Sequence, residues 1–234
     1  MAIEKFVLVH GAWHGGWCWA KVARLLRDAG HEVYTPTLTG LGERAHLARP
    51  EVDLELHIQD LVAMLEAEDL RQVTLVGHSY AGFVITGAAA RAAARIGHLV
   101  YLDAFVPEAG KCLLDYLGDR AAAMREAANA HGEGWKLPSF PPERFGVTSQ
   151  RDTEWLTKHL VPQPLRTFEQ PLPAAGGDKL KRTYIYCSKP ATGTFDQFAE
   201  RLRDDRKWTF HDLKTGHDAM VTAPGDIAKI LMGK

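Results

Sequence analysis

The chain has 234 residues, 46% of them hydrophobic and 24% charged, with 28 Lys and Arg against 29 Asp and Glu. That length suits one domain with a sizeable core and at most one inserted subdomain. The near-neutral balance gives no electrostatic reason to expect nucleic acid or an anionic membrane as partner, and no apolar run approaches the roughly 20 residues that span a bilayer.

The first residues run straight into a strand-like segment, with no signal-peptide pattern. Lys5 to His10 is a β-branched and aromatic run that stops at Gly11 and reads as a buried strand. A glycine-rich turn leads to helical spacing at Trp19, Val22, Leu25 and Leu26, which predicts a helix over Trp17 to Ala29. A second strand, His31 to Thr35, precedes a Pro/Thr/Gly-rich loop down to Pro50, and Leu54 to Ala67 is helical. The third strand, Val73 to Gly77, turns into an alanine-rich helix from about Tyr80 to Arg95, and His98 to Leu102 is the fourth strand.

Beyond Pro107 the pattern becomes irregular, with helical pieces over Leu113 to Ala130 followed by seven prolines between Pro138 and Pro173. So many prolines argue against a sheet core and for an inserted cap. Alternation then resumes with a strand at Thr183 to Cys187, a helix near Phe195 to Arg203, a strand at Trp208 to His211 and a helix from Ala219 to Met232. The expectation is an α/β fold with a mostly parallel sheet of about six strands and helices on both faces. The core occupies residues 1–106 and 179–234, and the cap 107–178. Chemistry in such sheets gathers at the carboxyl ends of the strands.

Three segments carry that chemistry. Gly77-His78-Ser79-Tyr80-Ala81-Gly82 matches the strand-turn-helix nucleophile elbow, G-x-S-x-G, with alanine in the last place. The loop His10-Gly11-Ala12-Trp13-His14-Gly15-Gly16 suits backbone donors to an oxyanion, with Ala12 N–H and Tyr80 N–H as the expected pair. His217, between the last strand and the last helix, is placed to act as base on Ser79. Of the ten other histidines, His31, His57, His98 and His159 read as solvated or structural. The acid is less obvious. No carboxylate follows the penultimate strand, at Cys187 to Thr192, whereas Asp103 stands at the end of the fourth strand. Asp103 is therefore expected to orient His217, with Asp196 in reserve; the alternative is that Asp103 only caps a turn.

These segments resemble the α/β-hydrolase superfamily, in particular its plant methylesterase and hydroxynitrile lyase branch. Phe6 to Trp17 is similar to that branch's opening, and Tyr34 to Gly40 with Gly42-Glu43-Arg44 resembles its bacterial esterases, carbendazim-hydrolysing enzymes among them. The resemblance implies an α/β-hydrolase fold with an inserted helical cap and a cofactor-free site carried by Ser79, His217, Ala12 and Tyr80. The family's usual acid position falls near Pro190 and does not carry over. The lyases have threonine at the place of Gly11 and lysine at that of Asp218, so cyanide elimination is not expected here.

The function expected is a serine hydrolase, of carboxylesterase type, acting on small and largely apolar esters, carbamates or activated amides. Trp13, Phe105 and Trp135 are the expected substrate contacts, while Phe83 reads as core. The alternatives are a lyase or cofactor-free oxygenase on the same fold, or a non-catalytic ligand-binding relative. No cofactor and no metal are expected, since no HExxH or paired-cysteine motif occurs. Three widely spaced cysteines, Cys18, Cys112 and Cys187, fit buried thiols in a reducing cytoplasm. The partner expected is a small-molecule ester, and a homodimer is left open.

Overall fold

The computed structural model describes residues 3–234. The strands are β1 (Lys5–Val9), β2 (Glu32–Tyr34), β3 (Val73–His78), β4 (Ile96–Leu102), β5 (Lys136–Leu137), β6 (Gln163–Pro164), β7 (Lys181–Cys187) and β8 (Thr209–Leu213). Six of them form one sheet in the order β2-β1-β3-β4-β7-β8, every pair parallel. Phe6, Val7, Leu8 and Val9 are all fully buried. Since successive side chains point to opposite faces, both faces of the sheet are covered there, which is why β1 reads as an unbroken apolar run. The edge strand β8 is only partly buried, and the other edge, β2, is three residues long.

The helices are α1 (Ala20–Asp28), α2 (Leu54–Ala67), α3 (Ala81–Ala92), α4 (Arg120–His131), α5 (Gln150–His159), α6 (Arg166–Glu169), α7 (Asp196–Leu202), α8 (Ala219–Thr222) and α9 (Pro224–Leu231). The Asp53 carboxylate caps α2 by accepting the Leu56 N–H at 3.0 Å, a bond worth about 1 kcal/mol. The α1 helix packs with α9, and α2 with α3. No helix among the described residues is long and apolar enough to cross a membrane.

Two local expectations need correction. The helix expected over Ala219 to Met232 is two helices, because Ala223 leaves the helical region (φ −135°, ψ 47°) and Pro224 starts α9 at a position where its missing N–H is harmless. The segment between β4 and β7 adds no strand to the main sheet, but it is not purely helical: β5 and β6 pair antiparallel. Pro164 is tolerated there because the two strands are only two residues long.

The topology brings five connections to the carboxyl edge of the sheet. These are the glycine-rich loop after β1, Ser79 after β3, Asp103 after β4, the loop after β7, and the loop carrying His217 after β8.

Candidate active site

Ser79 occupies the turn between β3 and α3 with φ at +55°, a left-handed conformation that a serine adopts only under constraint. The constraint is visible in the backbone. Ser79 N–H donates to the Leu102 carbonyl (3.2 Å), and the Ser79 carbonyl accepts from Gly82 N–H (3.1 Å) and Phe105 N–H (3.2 Å). A side chain at Gly82 would put its Cβ 1.9 Å from the Phe105 carbonyl oxygen. Glycine at 82, more than the residue at 81, lets the elbow close against the turn after β4.

That turn carries Asp103, itself at φ +40°. Asp103 Oδ2 lies 2.6 Å from His217 Nδ1, and Asp103 Oδ1 accepts the Cys187 N–H at 3.1 Å. The carboxylate is 1% exposed. Burial pushes its pKa up, opposed by the hydrogen bond and charge of His217 and by the Cys187 N–H. The other acids near this region are engaged elsewhere: Asp196 accepts from Tyr186 Oη at 2.7 Å, and Asp178 from Arg182 at 3.1 Å. With Nδ1–H given to Asp103, the lone pair of His217 is on Nε2.

The His217 ring is also held from its faces. Phe195 stacks on it at 4.9 Å with 9° between planes, and the His78 ring lies 4.4 Å away on a tilt. His78 is buried, and burial keeps its pKa well below the ordinary value, so it is neutral. Its Nε2–H donates to the His217 carbonyl at 3.1 Å.

The loop after β1 is fixed peptide by peptide. His10 Nδ1–H donates to the Gly11 carbonyl (2.8 Å), and its Nε2 accepts the Leu38 N–H (3.1 Å). His14 Nδ1–H donates to the Ala12 carbonyl (2.7 Å). Trp13, at φ +66°, is tied by three bonds to the segment between β4 and β7. Its N–H donates to Gln163 Oε1, its carbonyl accepts from Val161 N–H, and its Nε1–H donates to the Leu137 carbonyl, each at 3.0 Å. Among the described residues neither Ala12 N–H nor Tyr80 N–H donates to a protein acceptor. The Tyr80 side chain is fixed through its hydroxyl, which donates to His57 Nδ1 at 2.9 Å, while His57 Nε2–H donates to the Thr39 carbonyl at 2.8 Å.

Ser79, His217, Ala12 and Tyr80 all line one cavity of about 330 Å³. Its walls are mainly apolar and aromatic, with Trp13, Phe105, Phe140, Phe145, Phe168 and Phe195. Trp13 and Phe105 thus stand on the cavity wall, and Phe83 is core, fully buried. Trp135 is not on the wall. It is half-buried in the turn just before β5, where its carbonyl accepts Leu165 N–H at 2.7 Å and its ring lies under the Lys136 ammonium at 4.7 Å. His14 and His78 lie within the two quoted motifs but had no role assigned to them there, and Gln163 and Asp218, which also pack around the site, were marked by no motif. The one signal was an aspartate directly after His217 and directly before the apolar Ala219-Met220-Val221.

His78, His217 and Asp218 each offer a potential ligand atom within 4.8 Å of the others. His78 Nε2 and His217 Nδ1 are already committed to a carbonyl and to Asp103, so a cation bound through those atoms would have to break both bonds.

The comparisons bear on the fold and the family. Residues 6–230 match the model of the alpha/beta hydrolase family. The chain is 43% identical to a carbendazim hydrolyzing esterase from Nocardioides sp. (strain SG-4G), over 98% of both chains. It is 32% identical to the pFDCC methylesterase of Arabidopsis thaliana, over 98% of this chain and 94% of that one. Among solved structures, an extracellular alpha/beta-hydrolase from a Paenibacillus species superposes with a TM-score of 0.83 at 23% identity, covering 98% of each chain, which speaks to the fold alone. The crystal structure of the Arabidopsis methylesterase superposes at 0.78 with 25% identity, covering 99% of this chain and 98% of that one. The chain belongs to the alpha/beta hydrolase family.

Proposed function

We propose that the chain is a serine esterase that hydrolyses small, largely apolar carboxylic esters through an acyl-enzyme, with Ser79 as nucleophile, His217 as base and Asp103 as the acid that orients it. The observation that carries this reading is the 2.6 Å contact of Asp103 with His217, which lines the same cavity as Ser79. Similarity to proteins named as a carbendazim-hydrolysing esterase and a methylesterase supports ester hydrolysis as the reaction.

Ser79 Oγ attacks the ester carbonyl carbon as His217 Nε2 takes the hydroxyl proton. Asp103 holds Nδ1–H, which fixes the tautomer and stabilises the imidazolium that forms. The carbonyl oxygen, now an oxyanion, takes the two N–H groups of Ala12 and Tyr80, each worth about 3 to 4 kcal/mol of barrier. The tetrahedral intermediate collapses, the C–O bond to the leaving group breaks, and His217 returns the proton to the departing alcohol. Water then repeats the sequence on the acyl-enzyme and frees Ser79.

A cavity of about 330 Å³ with aromatic walls is at the small end of ligand sites and suits a compact apolar acyl or alcohol group. Carbamates and activated amides enter the same chemistry, since each presents a carbonyl with a leaving group. The reading takes the enzyme as cytoplasmic, acting on a free small molecule, with no cofactor or metal. A panel of chromogenic esters of increasing acyl length, with a carbamate and a cyanohydrin alongside, tests it. Turnover of the short esters should fall about a million-fold in Ser79→Ala and persist after exhaustive chelation. Ester turnover by Ser79→Ala within tenfold of wild type refutes the reading.

A further inference from the structure

The serine-esterase reading uses His217 and Ala12 but leaves unexplained a buried charged pair between the loops that carry them. Asp218 follows His217 directly and is fully buried, and its Oδ2 lies 3.1 Å from Nε2 of His14, which is 1% exposed. The other ring nitrogen of His14, Nδ1, is 2.7 Å from the Ala12 carbonyl. A carbonyl and a carboxylate both only accept, so both nitrogens of His14 must carry hydrogen, and the ring is an imidazolium. Burial alone would lower its pKa, but the Asp218 charge and the two hydrogen bonds outweigh it and hold it above the ordinary value. His10 and His78, and the thiols of Cys18 and Cys187, also face the pair, and burial keeps all of them uncharged.

We propose that His14 is a positioning residue for the oxyanion donor: held between Asp218 and the Ala12 carbonyl, it clamps the loop after β1 to the loop that bears His217. The proposal rests on the serine-esterase reading. A buried ion pair is a poor device for stability alone, because apolar residues of similar volume do as well or better. What the pair supplies instead is direction. His10 fixes the peptide between Gly11 and Ala12, and His14 fixes the next one, between Ala12 and Trp13. A planar trans peptide turns its N–H opposite to its carbonyl. The His10 lock thus aims the Ala12 N–H, the His14 lock holds the plane on the other side of the Ala12 Cα, and that second lock is referenced to the residue after the catalytic base. The ring of His14 is kept in place by stacking on Trp17 (5.4 Å, 27°) and by the edge contact with Phe145 (5.5 Å).

Two substitutions separate positioning from mere stability. Asn places its amide nitrogen where Nδ1 was, so His14→Asn keeps the bond to the Ala12 carbonyl and abandons Asp218. Gln places its amide nitrogen where Nε2 was, so His14→Gln keeps Asp218 paired and frees Ala12. Stability should therefore favour His14→Gln, because His14→Asn leaves a buried charge alone. Turnover per folded enzyme should run the other way. His14→Gln should lose about ten- to a hundred-fold in kcat at nearly constant KM, a fraction of what deleting an oxyanion donor does, while His14→Asn stays nearer the wild type. A kcat order that follows the stability order, or equal kcat in both, overturns the proposal. If neither variant folds, nitrogen-15 NMR of the wild type decides it: two N–H signals from His14 at neutral pH support it, and a single N–H overturns it. Ser79→Ala run in parallel keeps the two claims apart, since an active Ser79→Ala removes the serine reading itself.

Discussion

Gln163 Oε1 accepts the backbone N–H of Trp13 at 3.0 Å, with both residues buried, and so joins the segment between β4 and β7 to the loop after β1. Trp13 is at φ +66° and follows Ala12, so this bond helps to hold both the cavity wall and the strained backbone beside the proposed oxyanion donor. Gln163→Leu leaves a buried N–H without an acceptor, a loss of about 1–3 kcal/mol. In a chain of this size that lowers the melting temperature by about 2–4 °C per kcal/mol. Ester turnover should fall with it as Trp13 loses its register. Thermal unfolding and a kcat/KM measurement check both, and wild-type values in both would show that the bond holds nothing in place.

Asp103 carries the next prediction. Asp103→Asn preserves the shape of the side chain, but an amide can present its N–H to Nδ1 and stabilise the wrong tautomer of His217. Turnover should drop by about ten-thousand-fold. Asp196→Asn is the matched control, since Asp196 accepts from the Tyr186 hydroxyl and not from the histidine; it should leave turnover within a few-fold of wild type. Steady-state kinetics on the two purified variants decides between them, and a silent Asp103→Asn would remove the acid from the mechanism.

The sheet and the placing of Ser79, Asp103 and His217 at its carboxyl edge were legible in the sequence because both rest on local patterns. Phe6 to Val9 is an unbroken apolar run, and the turn from Gly77 to Gly82 begins and ends on glycines that are small for steric reasons seen at both. Asp103 could be picked out because a carboxylate ending a buried strand needs a partner. What escaped was long-range pairing. Gln163 meets Trp13 and Asp218 meets His14 across 150 and 204 positions, and no spacing rule connects such residues. Trp135 sits in a segment with no periodicity to fix its facing, and it lies away from the cavity. The division of the last helix at Ala223 was visible as Pro224, but the apolar spacing on both sides masked it.

The elbow gives a stability prediction with its own control. In Gly82→Ala the new Cβ would meet the Phe105 carbonyl oxygen at 1.9 Å, a backbone atom that cannot move without shifting the Asp103 turn. Overpacking of this kind is expected to lower stability by about 3 kcal/mol. A Cβ added at Gly225 in α9 would meet nothing within 4 Å, so Gly225→Ala should be neutral or stabilising, by about 0.5–1 kcal/mol. Denaturant unfolding of the pair measures the contrast, and similar midpoints would mean that the elbow yields without strain.

The buried histidines make stability depend on pH in a stated direction. Burial lowers the pKa of His10 to about 3 and that of His57 to about 4, against an ordinary 6.5. His78 is lowered in the same sense by the same cause. Below the ordinary value the unfolded chain takes up these protons while the folded protein does not, so acid favours unfolding. Stability should therefore fall as pH drops from about 6.5 toward 4, by on the order of 1 kcal/mol per pH unit for each such histidine. His14 has the opposite sign. Its raised pKa contributes stability that is complete below the ordinary value and is lost as pH rises through the raised one, so it adds no slope in the acid window. Urea unfolding at about pH 7, 6 and 5 gives the slope directly. His57→Gln, whose amide can still donate to the Thr39 carbonyl, should reduce that slope by on the order of 1 kcal/mol per pH unit. An unchanged slope in His57→Gln would mean that His57 gains its proton in the folded protein as readily as in the unfolded chain, and the neutral ring between Tyr80 and Thr39 would be wrong.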